Sequence, residues 1–186
     1  MKNTIYKLLT GSVVFLLSGC SDILDQTPVS ALTQTSFFQT AADAEAAVLA
    51  GYDALQGDEV RHIIWGDARA DNLKIPLETI GATDPAVLDF QNDNISSSSS
   101  YGNWSKFYNG INKVNNVLAQ VPTIQSATIG SVKNRLMGEA YFLRAFSYFN
   151  LVRLWGAVPL ILDPTLSLDK DLQPARTPAD KVLEQV

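Results

Sequence analysis

Six residues carry the most legible chemistry in this sequence: Trp65, Arg69, Asp71, Asn72, Tyr101 and Trp104. The three aromatic rings supply flat faces, and Arg69, Asp71 and Asn72 supply planar donors and acceptors. Such a set can stack on a sugar ring and pair with its neighbouring hydroxyls. A structural role competes at each position. Trp104 begins the apolar stripe of a helix and so also suits a core. Arg69, Asp71 and Asn72 also suit a network that stabilises a loop, with Asp67 or Asp71 as partner of Arg144.

Catalytic chemistry finds less support. A glycosidase needs two carboxylates across one cleft, and Asp67 with Asp71, or Asp84 with Asp89, can be nominated. Acids this close in a loop are more often solvated or capping. His62 is the one histidine, and no G-x-S-x-G nucleophile motif accompanies it. Asp89-x-Gln91-x-Asp93 resembles the start of a calcium loop but lacks its glycine and terminal glutamate. One Cys and one His build neither a zinc site nor a disulfide frame. The reading is therefore a non-enzyme with no metal and no cofactor. A net charge of −5, from 14 Lys+Arg against 19 Asp+Glu, argues against nucleic acid, which selects a basic footprint.

The cysteine is Cys20. Lys2 and Lys7 precede an apolar run from Leu8 to Leu17, then Ser18-Gly19-Cys20, the layout of a secretory signal peptide. The run is far short of the roughly 20 residues that a membrane-spanning helix needs. Leu17-Ser18-Gly19-Cys20 reads as a bacterial lipobox, with the thiol acylated and the leader cut just before it. Several acyl chains, at about 0.8 kcal/mol per buried CH₂, hold a domain on a membrane without a spanning helix. Cleavage removes Lys2 and Lys7 and no acid, so the remainder is more acidic than the whole. The expected organisation is a signal peptide at 1–19, a lipidated Cys and extended tether at 20–39, and a helical domain at 40–186.

The elements that must position these groups are helices. Thr40-Ala41-Ala42-Asp43 opens the first with a capping-box variant, Val48, Leu49, Tyr52 and Leu55 follow at helical spacing, and Gly57 suits C′. From Gly102 to Val121, Trp104, Phe107, Tyr108, Ile111, Val114, Leu118 and Val121 recur at i, i+3, i+4 and i+7. The opposite face carries Asn109, Asn112, Lys113 and Asn116, with Asn115 at the stripe's edge, and asparagine's poor helix propensity predicts contacts to neighbouring chain. A third helix, from Ser131 to Trp155, is apolar nearly all round in its second half and must be central. Arg144 falls ~180° from Arg135 and Arg153, which predicts a buried carboxylate or main-chain carbonyls as its partner. Gly156 and Pro159 stop this helix, Val158 to Leu162 reads as a buried extended segment, and Thr177-Pro178-Ala179-Asp180 opens a last helix with Thr177 as N-cap. That helix has no C-cap before Val186, which predicts that the sequence is an N-terminal fragment. Between Gly57 and Tyr101 there is little period of either kind, and the run Ser96 to Ser100 reads as a flexible tip.

The stretch Tyr141-Phe142-Leu143-Arg144-Ala145-Phe146-Ser147-Tyr148-Phe149-Asn150-Leu151-Val152-Arg153-Leu154-Trp155-Gly156-Ala157-Val158-Pro159-Leu160 resembles the signature of the SusD/RagB family. Cys20 followed by Ser21-Asp22, the phrase Asp67 to Asn72, the helix Tyr108 to Leu118 and the Thr177-Pro178 start agree in order. The resemblance implies an all-α fold, a tetratricopeptide-like scaffold with long irregular loops. It implies an outer-membrane lipoprotein that faces the cell exterior, binds glycans or other nutrients without catalysis, and sits as a lid on a SusC-type TonB-dependent transporter. Family members are considerably longer, so it covers their N-terminal part. The competing expectation is a structural or adaptor lipoprotein that holds a protein partner through its helical repeats.

Overall fold

Two hydrogen bonds start the first helix. The Thr40 hydroxyl accepts from the Asp43 N–H at 3.2 Å, and the Asp43 carboxylate accepts from the Thr40 N–H at 2.8 Å. This closed capping box satisfies donors that the helix itself cannot, and its Thr40 bonds hold the Asp43 carboxyl below its ordinary value. The structure, a computed structural model, describes residues 37–56, 59–70, 73–74, 76, 86–96, 98–166 and 173–186. The signal peptide, Cys20, Gly57, Asp71, Asn72 and Asp84 lie outside the described residues.

Seven α-helices are described: α1 Ala41–Asp53, α2 Glu59–Ile63, α3 Ala86–Gln91, α4 Ser105–Gln120, α5 Ser126–Ile129, α6 Val132–Trp155 and α7 Ala179–Leu183. A π-helical turn, Ile64–Ala68, continues α2, and 3₁₀ turns cover Ser100–Gly102 and Val121–Thr123. Among the described residues there is no strand, and Val158 and Thr177 form an antiparallel bridge. The long helices lie where the periodicity puts them. α4 begins at Ser105 rather than Gly102, because Ser100–Gly102 winds as a 3₁₀ turn first. Pro122 sits in the 3₁₀ turn that closes α4, where its missing N–H leaves no helical bond unmade.

The three long helices pack on one another. Ala44, Val48, Val114, Val117, Leu136, Ala140 and Leu143 form their shared core, and each buried aliphatic side chain contributes about 1.5–3 kcal/mol by leaving water. Gly51 sets how close they come. A Cβ there would lie 2.9 Å from Val114 Cγ1 and 3.1 Å from Leu143 Cδ1. A second core gathers Ile64, Trp65, Val87, Phe90, Phe107, Ile111, Tyr148, Leu151, Val158 and Val182. α6 serves both cores, yet Phe142 is 60% exposed and stacks on Phe146 along an uncovered side.

Three expectations change. The stretch read as lacking period contains α2, the π turn and α3, each too short for a helical repeat to register in sequence. The serine run, where described, is a bonded turn: the buried Ser99 hydroxyl donates to Asp89 Oδ2 at 2.7 Å and accepts from the Ser96 N–H at 3.1 Å. Short hydroxyl side chains bond local backbone readily. Thr177 is not an N-cap. Its N–H donates to the Val158 carbonyl at 2.9 Å and its carbonyl accepts from Val158 at 3.2 Å, so its backbone is extended, and Pro178 takes the cap position.

Candidate ligand-binding site

Gly156 ends α6 with φ 69° and ψ −115°, a conformation for which only glycine is suited, and turns the chain back across the helices. Beyond it the chain runs as a strap from Val158 to Thr165 with few backbone partners of its own. Side chains of α4 and α6 supply them. The Tyr148 hydroxyl donates to the Ile161 carbonyl at 2.9 Å and accepts from the Ile161 N–H at 2.7 Å. Asn115, 1% exposed, donates to the same carbonyl at 3.0 Å and to that of Asp163 at 3.3 Å. Arg144 donates to Asn115 Oδ1 at 3.0 Å and to the Leu162 carbonyl at 3.1 Å. Its partners are an amide and a main-chain carbonyl, not Asp67. Asn112 Oδ1 accepts from the Thr165 N–H at 2.8 Å, and Tyr108 donates to the Pro159 carbonyl at 2.6 Å. The asparagine-bearing face of α4 is thus a docking edge for extended chain, and it satisfies backbone groups of a strap that is mostly part-buried.

The strap, the start of α4 and the segment before α7 enclose a cleft of about 360 Å³, lined by Trp104, Ser105, Tyr108, Pro159, Ile161 and Pro174. Its walls are aromatic and aliphatic, and such surfaces pack against the C–H faces of a ring. The Trp104 and Tyr108 rings meet edge to face at 6.0 Å, and the Arg176 guanidinium lies 4.7 Å over the Trp104 ring. Burial lifts the Tyr108 hydroxyl well above its ordinary value and lifts Tyr148 to about 12, so both stay neutral donors across physiological pH. Ser105 Oγ donates to Asn103 Oδ1 at 3.0 Å.

Of the residues singled out in sequence, three meet in one aromatic cluster. Trp65 is 7% exposed, its ring stacked on Phe107 at 5.7 Å and its indole N–H donating to the Tyr101 carbonyl at 2.9 Å. Tyr101 is half-buried beneath Arg61 at 5.6 Å. Trp104 reaches the same cluster through Trp155, whose ring lies 5.7 Å from Trp65 and 5.9 Å from Trp104. Trp104 alone of these aromatics lines the cleft; Trp65 is packed as a core residue in this arrangement. Arg69 is exposed and meets Asp93 at 3.4 Å, away from the cleft lining. Asp71 and Asn72 are outside the described residues. Among the described residues no cluster of three or more His, Cys, Asp or Glu could hold a metal ion, and no helix is long and apolar enough to cross a membrane.

Tyr108, Pro159, Ile161, Pro174 and Arg176 as cleft or rim residues were not foreseen. Tyr108 and Ile161 read as core from their apolar pattern, and Pro159 read as a helix stop. Pro174 and Arg176 carry no pattern, because their place depends on the Val158–Thr177 bridge.

The SusD-like family, described as starch-binding and associating with the outer membrane, matches residues 64–186. A SusD-like protein of Formosa agariphila is 33% identical over 174 residues, covering 92% of this chain and 33% of that protein. A SusD-like protein of Bacteroides ovatus is 28% identical over 181 residues, covering 93% of this chain and 31% of that protein. Among solved structures, NanU of B. fragilis matches with a TM-score of 0.67 and 26% identity, over 86% of this chain and 31% of that one. A SusD superfamily protein of Bacteroides thetaiotaomicron matches with a TM-score of 0.62 and 21% identity, over 80% of this chain and 33% of that one, a likeness of fold. The chain thus spans about a third of the length of the curated relatives it matches. The helical scaffold and the family match over residues 64–186 lead to one assignment: this chain belongs to the SusD/RagB family of SusD-like, outer-membrane-associated proteins.

Proposed function

We propose that this chain is part of a lipid-anchored cell-surface protein that captures oligosaccharides and delivers them, unmodified, to a SusC-type TonB-dependent transporter in the outer membrane. The observation that carries the reading is the match to the SusD-like family across residues 64–186. The ring-lined cleft at Trp104 and Tyr108 supports it as a place where a sugar face can pack. Trp65, Tyr101 and Trp104 belong to one aromatic cluster, and in this reading Trp104 makes the ligand contact while the other two, with Trp155, support it. Arg69, which lies away from the cleft lining, and Asp71 and Asn72 are kept as candidate polar contacts to the ligand. Cys20 is the acylated N-terminus, residues 1–19 are its leader, 20–39 a tether, and 40–186 the first part of a longer helical domain.

The test is made in the native host. The full polypeptide, affinity-tagged and isolated from detergent-extracted outer membranes after growth with an alkyne fatty acid, is expected to carry the label and to bring down a TonB-dependent transporter. Cys20→Ala is expected to lose the label. Label that persists in that variant contradicts the anchor, and isolation without any transporter contradicts the delivery role.

A further inference from the structure

Among the described residues the cleft walls are mostly apolar, and the Arg176 guanidinium lies over one of them, Trp104. The Arg176 guanidinium carbon lies 4.7 Å from the centre of the Trp104 ring, and the side chain donates to the Ala157 carbonyl at 3.3 Å. Among the described residues it has no carboxylate partner, while Arg69, Lys113, Arg135 and Lys181 each have one. A guanidinium fixed by stacking loses little side-chain freedom when it pairs, and its planar fork matches a carboxylate. Among the described residues no acid lines the cleft. Ser105, the first residue of α4, lines the same cleft, and α4 starts without a side-chain cap, so the positive end of its dipole adds a field of the same sign.

We propose that this cleft selects a carboxylated sugar, a uronic-acid-type unit whose ring packs against Tyr108, Pro159, Ile161 and Pro174 while its carboxylate pairs with Arg176. The assignment rests on the saccharide-binding reading and narrows it to an acidic class. The volume of about 360 Å³ lies at the small end of the roughly 300–1,000 Å³ range of small-molecule sites, which suits one or two rings rather than a long chain. The ring hydroxyls find the Ser105 and Tyr108 oxygens as acceptors. The chain's net charge of −5 opposes an acidic ligand at long range. Charges more than about 8–10 Å away are screened at physiological salt, so the local guanidinium decides the preference.

The experiment is calorimetry on the full-length polypeptide with matched pairs of probes, oligogalacturonide against galacto-oligosaccharide and glucuronic acid against glucose. The acid of each pair is expected to bind at least about fivefold more tightly at low salt, with the advantage shrinking in 0.5 M NaCl. Arg176→Gln is expected to bring the acid-to-neutral ratio to about one, while Arg176→Lys keeps part of it. Arg153→Gln, whose cation lies over Phe149, keeps the ratio and controls for total charge. Circular dichroism melting of each variant confirms the fold. Equal affinity for acid and neutral sugar in the wild type, or a preference that survives in Arg176→Gln, overturns the charge assignment and leaves the saccharide reading standing. Failure to bind any probe, acidic or neutral, overturns both.

Discussion

Replacing Tyr148 by Phe removes one oxygen and two hydrogen bonds. That oxygen accepts from the Ile161 N–H at 2.7 Å and donates to the Ile161 carbonyl at 2.9 Å, in the middle of the strap that walls the cleft. The carbonyl keeps Asn115 at 3.0 Å, but the N–H is left without that acceptor. An unsatisfied buried donor costs about 1–3 kcal/mol, and for this part-buried one the predicted loss of stability at pH 7 lies toward the lower end of that range. The same hydroxyl also titrates differently in the folded and unfolded chain. Burial raises its pKa from 10.0 to about 12. The unfolded chain therefore releases this proton first, and the stability it contributes is complete below pH 10 and is lost as pH climbs from 10 to 12. At about 1.4 kcal/mol per unit the loss is roughly 3 kcal/mol, and it reflects the burial of the hydroxyl, since the bond from the Ile161 N–H acts in the opposite direction. Urea titrations of wild type and Tyr148→Phe, followed by far-ultraviolet circular dichroism at pH 7, 10, 11 and 12, measure both. The gap between the two proteins is predicted toward the lower end of about 1–3 kcal/mol at pH 7 and should narrow toward pH 12. A gap below about 0.5 kcal/mol at pH 7, or one that stays constant with pH, contradicts the role given to Tyr148.

Three other substitutions probe the scaffold. Gly51→Ala places a Cβ 2.9 Å from Val114 Cγ1 and should destabilise by about 1–3 kcal/mol as the helices part; an unchanged urea midpoint contradicts that close approach. Gly156→Ala forces a side chain onto φ 69°, ψ −115°, so a loss of about 1–3 kcal/mol is expected, and a stability equal to wild type contradicts the assigned turn. Asn115→Leu fills a similar volume but removes three hydrogen bonds, one of them from Arg144; it should cost at least about 2 kcal/mol and speed proteolysis between Pro159 and Thr165, and a protease-resistant strap contradicts the role given to Asn115.

The parts of the fold legible in sequence are those whose causes are local. The Thr40–Asp43 box, the stripe from Phe107 to Val121 and the glycine after Trp155 act within one or two turns, and the helices lie where they point. α2 and α3 are too short to show a period, and tertiary packing of Trp65, Val87 and Phe90 holds them in shape instead. The polar face of α4 announced contacts to neighbouring chain, but no spacing rule says that Asn115 would meet residues 161 and 163. The site was less legible still. Trp65 and Trp104 are the same residue type in similar company, and only the fold decides that one packs inside while the other lines a cleft. Arg176 has no sequence motif, because its place over Trp104 depends on a bridge between residues far apart in the chain.

Saccharide binding by the full-length polypeptide tests the central claim most directly. Calorimetry against a panel of oligosaccharides, with product analysis of each mixture by chromatography, is predicted to show saturable binding to at least one member, no cleavage, and a loss of at least about tenfold in Trp104→Ala. Absence of binding across the panel, or release of shorter sugars from a bound one, contradicts the account.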